Sequence, residues 1–205
     1  MTQQAQAVEI PRINLKHADL TLIGDSPLIS HRWSEKAKKQ MLNKQMKIAQ
    51  TAKTAKNPEM DFYESLYWLN GMPAKPTMAA VKKAKFGFPA VAFKSAAVDA
   101  SLHTDGGKKT ISRAAFHIDG ELVEIQGTPV MREDMVRVGM GSADLRYRGE
   151  FKEWSAKVRV TYNADVMSLE QIVNLFNLGG FGVGIGEWRP QKDGSNGRFH
   201  VGNKK

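Results

Sequence analysis

Cysteine is absent from all 205 residues. Disulfides, thiolate zinc sites, iron–sulfur clusters and cysteine nucleophiles are therefore excluded, and the composition suits a reducing compartment. No stretch approaches the roughly 18 apolar residues of a membrane-spanning helix. The opening Met-Thr-Gln-Gln-Ala-Gln-Ala lacks the basic-then-apolar pattern of a secretion signal. The expectation is a cytoplasmic protein, in the host cytoplasm if the chain is viral, with no membrane partner. Acid is the third deficit: 21 Asp and Glu stand against 30 Lys and Arg, for a net charge of +9. Polyanions are the partners to consider.

The hydrophobic content, 41%, is enough to bury a core. Residues 1–9 read as a flexible polar lead-in, and 10–205 as a single α+β domain with a helical and loop insertion over about 45–85. Ala18–Ile23 alternates as a strand, closed by Gly24-Asp-Ser-Pro27, and Leu28–His31 continues extended. Ser34 caps a helix running to about Ala49. Asp61–Trp68 is a short aromatic helix, and Phe88–Leu102 is a helix with Pro89 at its start. Leu122–Ile125 and Val130–Val138 are extended. Trp154–Tyr162 places Trp154, Ala156, Val158, Val160 and Tyr162 on one face and Lys157, Arg159 and Thr161 on the other. Ser168-Leu-Glu-Gln171 is a capping box, and Gly179-Gly180 is expected to end its helix. Phe199–Val201 closes the chain as a strand. Strand, helix and strand thus recur twice, which predicts a mainly antiparallel sheet with helices on one face.

The densest signal is the run from Leu178 to Phe199, in which glycines surround Trp188, Arg189, Lys192 and Arg198. Gly182-x-Gly184-x-Gly186 follows a helix and precedes Trp188-Arg189-Pro190, so it is no dinucleotide fingerprint, which needs a strand before it and a helix after it. Two readings remain: a glycine-rich turn, or a cradle in which Gly182, Gly184, Gly186, Arg189, Lys192 and Arg198 hold a phosphodiester backbone while Trp188 stacks on a base. A second group is Arg146, Tyr147 and Arg148 with Lys157 and Arg159, which would line a groove. A third is the lysines 36, 38, 39, 44, 47, 53 and 56, either a solvated helix or an electrostatic clamp.

His31 is the single catalytic candidate, as an acid or base for metal-independent RNA cleavage; a structural histidine is its competing reading. No histidine–carboxylate spacing marks a metal site, and no cofactor is expected. Phe62, Tyr63, Leu66, Tyr67 and Trp68 cover a sheet edge or dock on a neighbouring copy.

Ser26-Pro-Leu-Ile-Ser-His31, then Phe88-Pro-Ala-Val-Ala-Phe-Lys-Ser-Ala-Ala-Val98, then the glycine-rich run resemble, in that order, the RAMP superfamily of CRISPR effector backbone and capping proteins. Chains of this size also resemble small proteins of tailed bacteriophages. The pattern departs from the superfamily at Ala96, where a glycine is usual, and near Val98–Asp99, where an arginine often stands. The resemblance implies a ferredoxin-like (RRM-like) core with a C-terminal glycine-rich loop. It further implies single-stranded RNA as partner and assembly with copies of itself or related subunits. The combined expectation is a non-catalytic binder of single-stranded nucleic acid, RNA favoured and single-stranded DNA admitted. The alternatives are an endoribonuclease of the same fold and a phage structural protein.

Overall fold

The computed structural model describes residues 10–48, 55–138 and 141–202; the expected lead-in 1–9 and Lys53 lie outside them. Strand β1 (Leu15–Gly24) turns Leu20 and Leu22 inward and Asp19 and Thr21 outward, and β2 (Leu28–Ser30) is buried at every position. Ser34 caps α1 (Glu35–Gln45) by accepting from the Ala37 N–H, and no residue of this helix is buried. The helix stops short of the expected Ala49, and Lys47 takes a left-handed φ of 56°. Asn57 caps α2 (Pro58–Glu64), whose first-turn proline sits where no N–H is needed. The aromatic helix expected over 61–68 is therefore shifted. It ends at Glu64, and Tyr67–Trp68 form the short strand β3.

Thr77 caps α3 (Met78–Lys83), and β4 (Phe86–Pro89) leads directly into α4 (Ala90–Ala100). Phe88 thus belongs to a strand, not to the helix, because Phe86 and Phe88 face the core from one side of a ladder that Gly87 makes with Glu124. After a 3₁₀ turn come α5 (Lys109–Ala115), β5 (Phe116–Ile118) and β6 (Leu122–Gln126). A long hairpin follows, β7 (Val130–Val138) with β8 (Ser142–Phe151), then β9 (Ser155–Asn163). The chain closes with α6 (Leu169–Gly182) and β10 (Phe199–Val201).

The main sheet runs β10-β1-β9-β6-β4-β3, with β5 also paired to β9. All of its pairings are antiparallel. With β5–β6 as one bent strand, the core reads β1–α4–β5/β6–β9–α6–β10 in the spatial order 4-1-3-2. That is the interlocked pair of split βαβ units of a ferredoxin-like α+β fold. Val158, Val160, Phe93, Ala97, Phe116, Ile172 and Phe176 meet between sheet and helices, whereas Lys157 and Arg159 project from the open face. A second sheet, β2-β8-β7, stands beside the first.

Gly179 and Gly180 do not end α6; they lie inside it. A Cβ on Gly179 would come 2.6 Å from the Ala96 carbonyl oxygen, and one on Gly180 would overlap the Phe199 carbonyl. The pair is therefore a close-approach surface that lets α6 press on α4 and β10. Alanine in a helix normally gains about 1 kcal/mol over glycine. Gly180→Ala is nonetheless expected to lower the melting temperature by several degrees, because the displaced backbone belongs to a sheet strand. Gly182→Ala, with open space at its Cβ position, should be neutral or slightly stabilising; thermal denaturation of the two variants separates packing from propensity.

Candidate nucleic-acid interface

Three buried residues organise the site. Ile29 of β2 pairs with Glu150 of β8 and accepts the Glu187 N–H at its carbonyl (3.1 Å). Gly186, at φ 79°, lies so close to that carbonyl that a Cβ would come within 2.5 Å of the oxygen, which explains glycine there. Ser30 Oγ donates to the Ser65 carbonyl (2.8 Å), and Ser65 Oγ accepts from the Gly149 N–H (2.8 Å). The glycine-rich loop, the hairpin and the end of α2 are thus fastened to one short strand.

Beside this junction a cleft of about 540 Å³ opens between α1, α2 and β8. Its lining includes His31, Arg32, Trp33, Lys44, Lys56, Arg146 and Tyr147, with Asp61 and Asp144 as its carboxylates among the described residues. Ala37, Gln40, Met41 and Lys44 reach it from one side of α1, at the i, i+3, i+4, i+7 spacing of a helix face. Trp33 is 55% exposed. Tyr147 is held by Glu133, its neighbour across the hairpin, whose hydrogen bond raises the phenol above its usual range. Asp144 binds Lys56 Nζ (2.6 Å) and Arg146 Nε (3.4 Å). The Lys56 hydrogen bond is the main cause of its lowered pKa, so the carboxylate is ionised and orders both cations. Four cations and two carboxylates line the cleft, and Arg32 is also paired with Glu35 at 3.2 Å.

Behind it runs an ion-pair chain. His31 Nδ1 lies 2.9 Å from Glu187 Oε1, and an Arg148 terminal nitrogen lies 4.0 Å from Oε2. Arg148 also donates to Asp134 (3.1 Å), which takes Arg132 at 2.8 Å, and Arg132 continues to Glu150 at 2.7 Å. Arg148 is 3% exposed, and its Nε finds no partner among the described residues. The Glu187 carboxyl is pushed below the ordinary range by the His31 hydrogen bond first, against the opposing effect of burial, with Arg148 adding its charge.

The predicted site residues fall into four places. Arg146 and Tyr147 line the cleft, joined by His31. Arg148, expected to line a groove, instead forms a buried ion pair: on β8 it alternates to the face opposite Tyr147. Lys157 and Arg159 lie on the open face of the main sheet, Arg159 3.7 Å from Asp119. The glycine run forms a folded loop whose N–H groups are largely spent inside the chain. Ile185 donates to Gly197, Gly194 to Arg189, Asn196 to Trp188 and Gly197 to Pro27. Gly182 ends α6, Gly184 has a left-handed φ of 67° beside Pro190, and Gly186 serves the junction above. Arg189 donates to the Gly186 carbonyl and to Gln191, and Arg198 to the Ser195 carbonyl. Trp188 and Lys192 are exposed on the same loop.

Sequence reasoning missed Trp33 and Asp61. The signal for Trp33 was an aromatic between a basic residue and a helix cap; Asp61 looked like an ordinary first-turn acid. No group of three or more His, Asp or Glu that could hold a metal occurs among the described residues, and no helix among them is long and apolar enough to cross a membrane.

The fold is thus that of a ferredoxin-like α+β protein carrying a second small sheet and a basic cleft. No protein-family model matches the chain, and no curated protein matches its sequence. Among solved structures, Cmr6 from Pyrococcus furiosus is similar to it with a TM-score of 0.45 and 8% identity, over 92% of this chain and 98% of that one. The assignment of the fold rests on the strand order and register given above.

Asp134→Ala strands the Arg148 guanidinium in a dry site and is expected to cost about 3–5 kcal/mol in chemical denaturation. For Glu187 the lowered pKa gives stability that is complete above the unfolded-state value and lost as pH falls through the folded-state one. The melting temperature of the wild type should therefore exceed that of Glu187→Gln at neutral pH and converge on it between about pH 5 and pH 3. A gap that stays constant over that range would mean the His31 contact does not favour the ionised form.

Proposed function

We propose that the protein is a non-catalytic binder of single-stranded nucleic acid and that the strand passes through the cleft between α1 and β8. The observation that carries this reading is the cleft's lining: Arg32, Lys44 and Arg146 around the exposed ring of Trp33 and the half-buried ring of Tyr147. Cations beside aromatic rings suit a flexible polyanion with unstacked bases, because stacking on a side chain contributes about 1–3 kcal/mol per base and tolerates any sequence. A duplex offers no free base face to such a cleft. The lysines along the exposed α1 extend the positive field, so the helix serves as one jaw of a clamp. In this reading the glycine-rich loop is a support: it fixes Glu187, which holds His31 at the cleft margin. Trp188 and Lys192 on that loop, and Lys157 and Arg159 on the open sheet face, are candidate contacts for strand leaving the cleft.

Fluorescence anisotropy with labelled single-stranded RNA, single-stranded DNA and duplex DNA tests the proposal and ranks the two single strands. Both single strands should bind in preference to duplex. The logarithm of affinity should fall against the logarithm of salt with a slope of about −2 to −3, as three or four phosphate contacts require. Trp33→Ala should weaken binding by about tenfold at any salt, and Arg146→Ala should lower the salt slope by about 0.7. Absence of binding to every strand at low salt would overturn the reading.

A further inference from the structure

The cleft contains a carboxylate that a phosphate groove has no use for. Asp144 is neutralised by Lys56 and Arg146, but Asp61 has no ion-pair partner among the described residues. It lies half-buried on α2, where Glu59 already supplies a first-turn acid. Asp61 and Tyr147 line the same cleft, so the carboxylate shares the space with the ring expected to carry a base. A bare carboxylate next to a bound phosphate would cost affinity. Next to a base edge that presents donors it would contribute affinity, and charge-assisted hydrogen bonds are the stronger kind.

We infer that the cleft reads one base and that the base is guanine, with Asp61 accepting from its Watson–Crick edge. The inference rests on the single-strand reading above. An ionised carboxylate only accepts, through two oxygens set side by side. Guanine alone among the four bases offers two adjacent donors on that edge, the ring N1–H and the 2-amino group. Adenine and cytosine set one amino group beside an acceptor nitrogen, and uracil sets one N–H between two carbonyls; each would put a lone pair against one carboxylate oxygen. Unpaired bases splayed from a single strand are read in this way, by stacking together with edge hydrogen bonds. Tyr147 and Trp33 provide the stacking surfaces, and Arg146 and Lys44 provide the contacts to flanking phosphates.

The test uses labelled oligouridylates that differ only at one central position, holding guanosine, inosine, adenosine, cytidine or uridine, and the same series in oligothymidylate. For the wild type the guanosine strand should bind about tenfold tighter than the adenosine strand, the range expected of a good bidentate pair. Inosine, which keeps N1–H but lacks the amino group, should fall between them. Asp61→Asn keeps the shape but exchanges one acceptor for a donor, so it should erase the guanosine preference. Its circular dichroism spectrum and melting temperature should match those of the wild type, which shows that it folds. Equal, salt-sensitive binding of every base by the wild type would overturn the guanine assignment and leave the single-strand reading intact. So would a guanosine preference that survives Asp61→Asn. Failure to bind any strand at low salt would remove both.

Discussion

The site hangs on the burial of Leu28-Ile29-Ser30. This strand is too short to be stable alone, yet its three residues are fully buried and connect to three different parts of the chain. Its ladder with β8 fixes the long hairpin. The Ile29 carbonyl fixes the loop that carries Glu187, and Ser30 Oγ fixes Ser65 at the end of α2. A buried backbone group left unpaired costs about as much as a lost hydrogen bond, so the strand, the loop and α2 keep one another in place. The cleft is the gap left on the outer side of this junction. Its walls come from segments far apart in sequence, and Ser65, which lines the cleft, ties them together by accepting from Ser30, Arg32 and Gly149.

The second sheet explains why so many charges are buried next to the cleft. Arg148 and Tyr147 are neighbours on one strand and point to opposite faces. One face is closed by the Arg132–Asp134–Arg148 chain, and the other packs Tyr147, half-buried, against the core beside the cleft. Buried ion pairs seldom add net stability over apolar packing, but breaking one is costly, and they enforce a single register. Here a one-residue slip of β8 would exchange Arg148 for Tyr147 on both faces, burying a phenol where a cation is needed and unloading the pair with Asp134. The chain of charges thus holds the hairpin in the register that presents Tyr147 to the cleft.

Much of the ferredoxin-like core was legible because its residues obey local rules. Trp154–Tyr162 alternates, Ser168–Gln171 forms the capping box it spells, and Ser34 caps its helix. The readings that failed were those in which a tertiary contact overrode a local habit. Gly179-Gly180 has the look of a helix stop, yet the helix continues, because the glycines are required by neighbouring backbone at Ala96 and Phe199. Pro89 has the look of a first helical residue, yet it closes a strand whose phenylalanines are claimed by the core. The cleft was legible only in part. Arg146 and Tyr147 stood out by type, but Trp33 and Asp61, which share the cleft with them, come from other parts of the chain, and no local spacing encodes the meeting of segments so far apart in sequence. The glycine run was conspicuous for a different reason: a loop that must thread between β2 and β10 needs backbone without side chains.

The clamp also has an energetic consequence that follows from α1. Eleven residues form about three turns, and an isolated helix of that length is marginal in water. None of its residues is buried, so packing supplies little, and Lys36, Lys38, Lys39 and Lys44 crowd like charges onto it, relieved locally by Glu35. In the proposed reading, a polyanion in the cleft would neutralise that repulsion and give Met41 and Ala37 a surface to rest on. Part of the gross attraction would then go into holding the helix in place, which lowers affinity for a given number of contacts and speeds release. A strand binder that must let go of its ligand is served by such an arrangement. In the proposed reading β8 brings Arg146 and Tyr147 to one wall of the cleft, and α1 brings Lys44 and its exposed charge to the other.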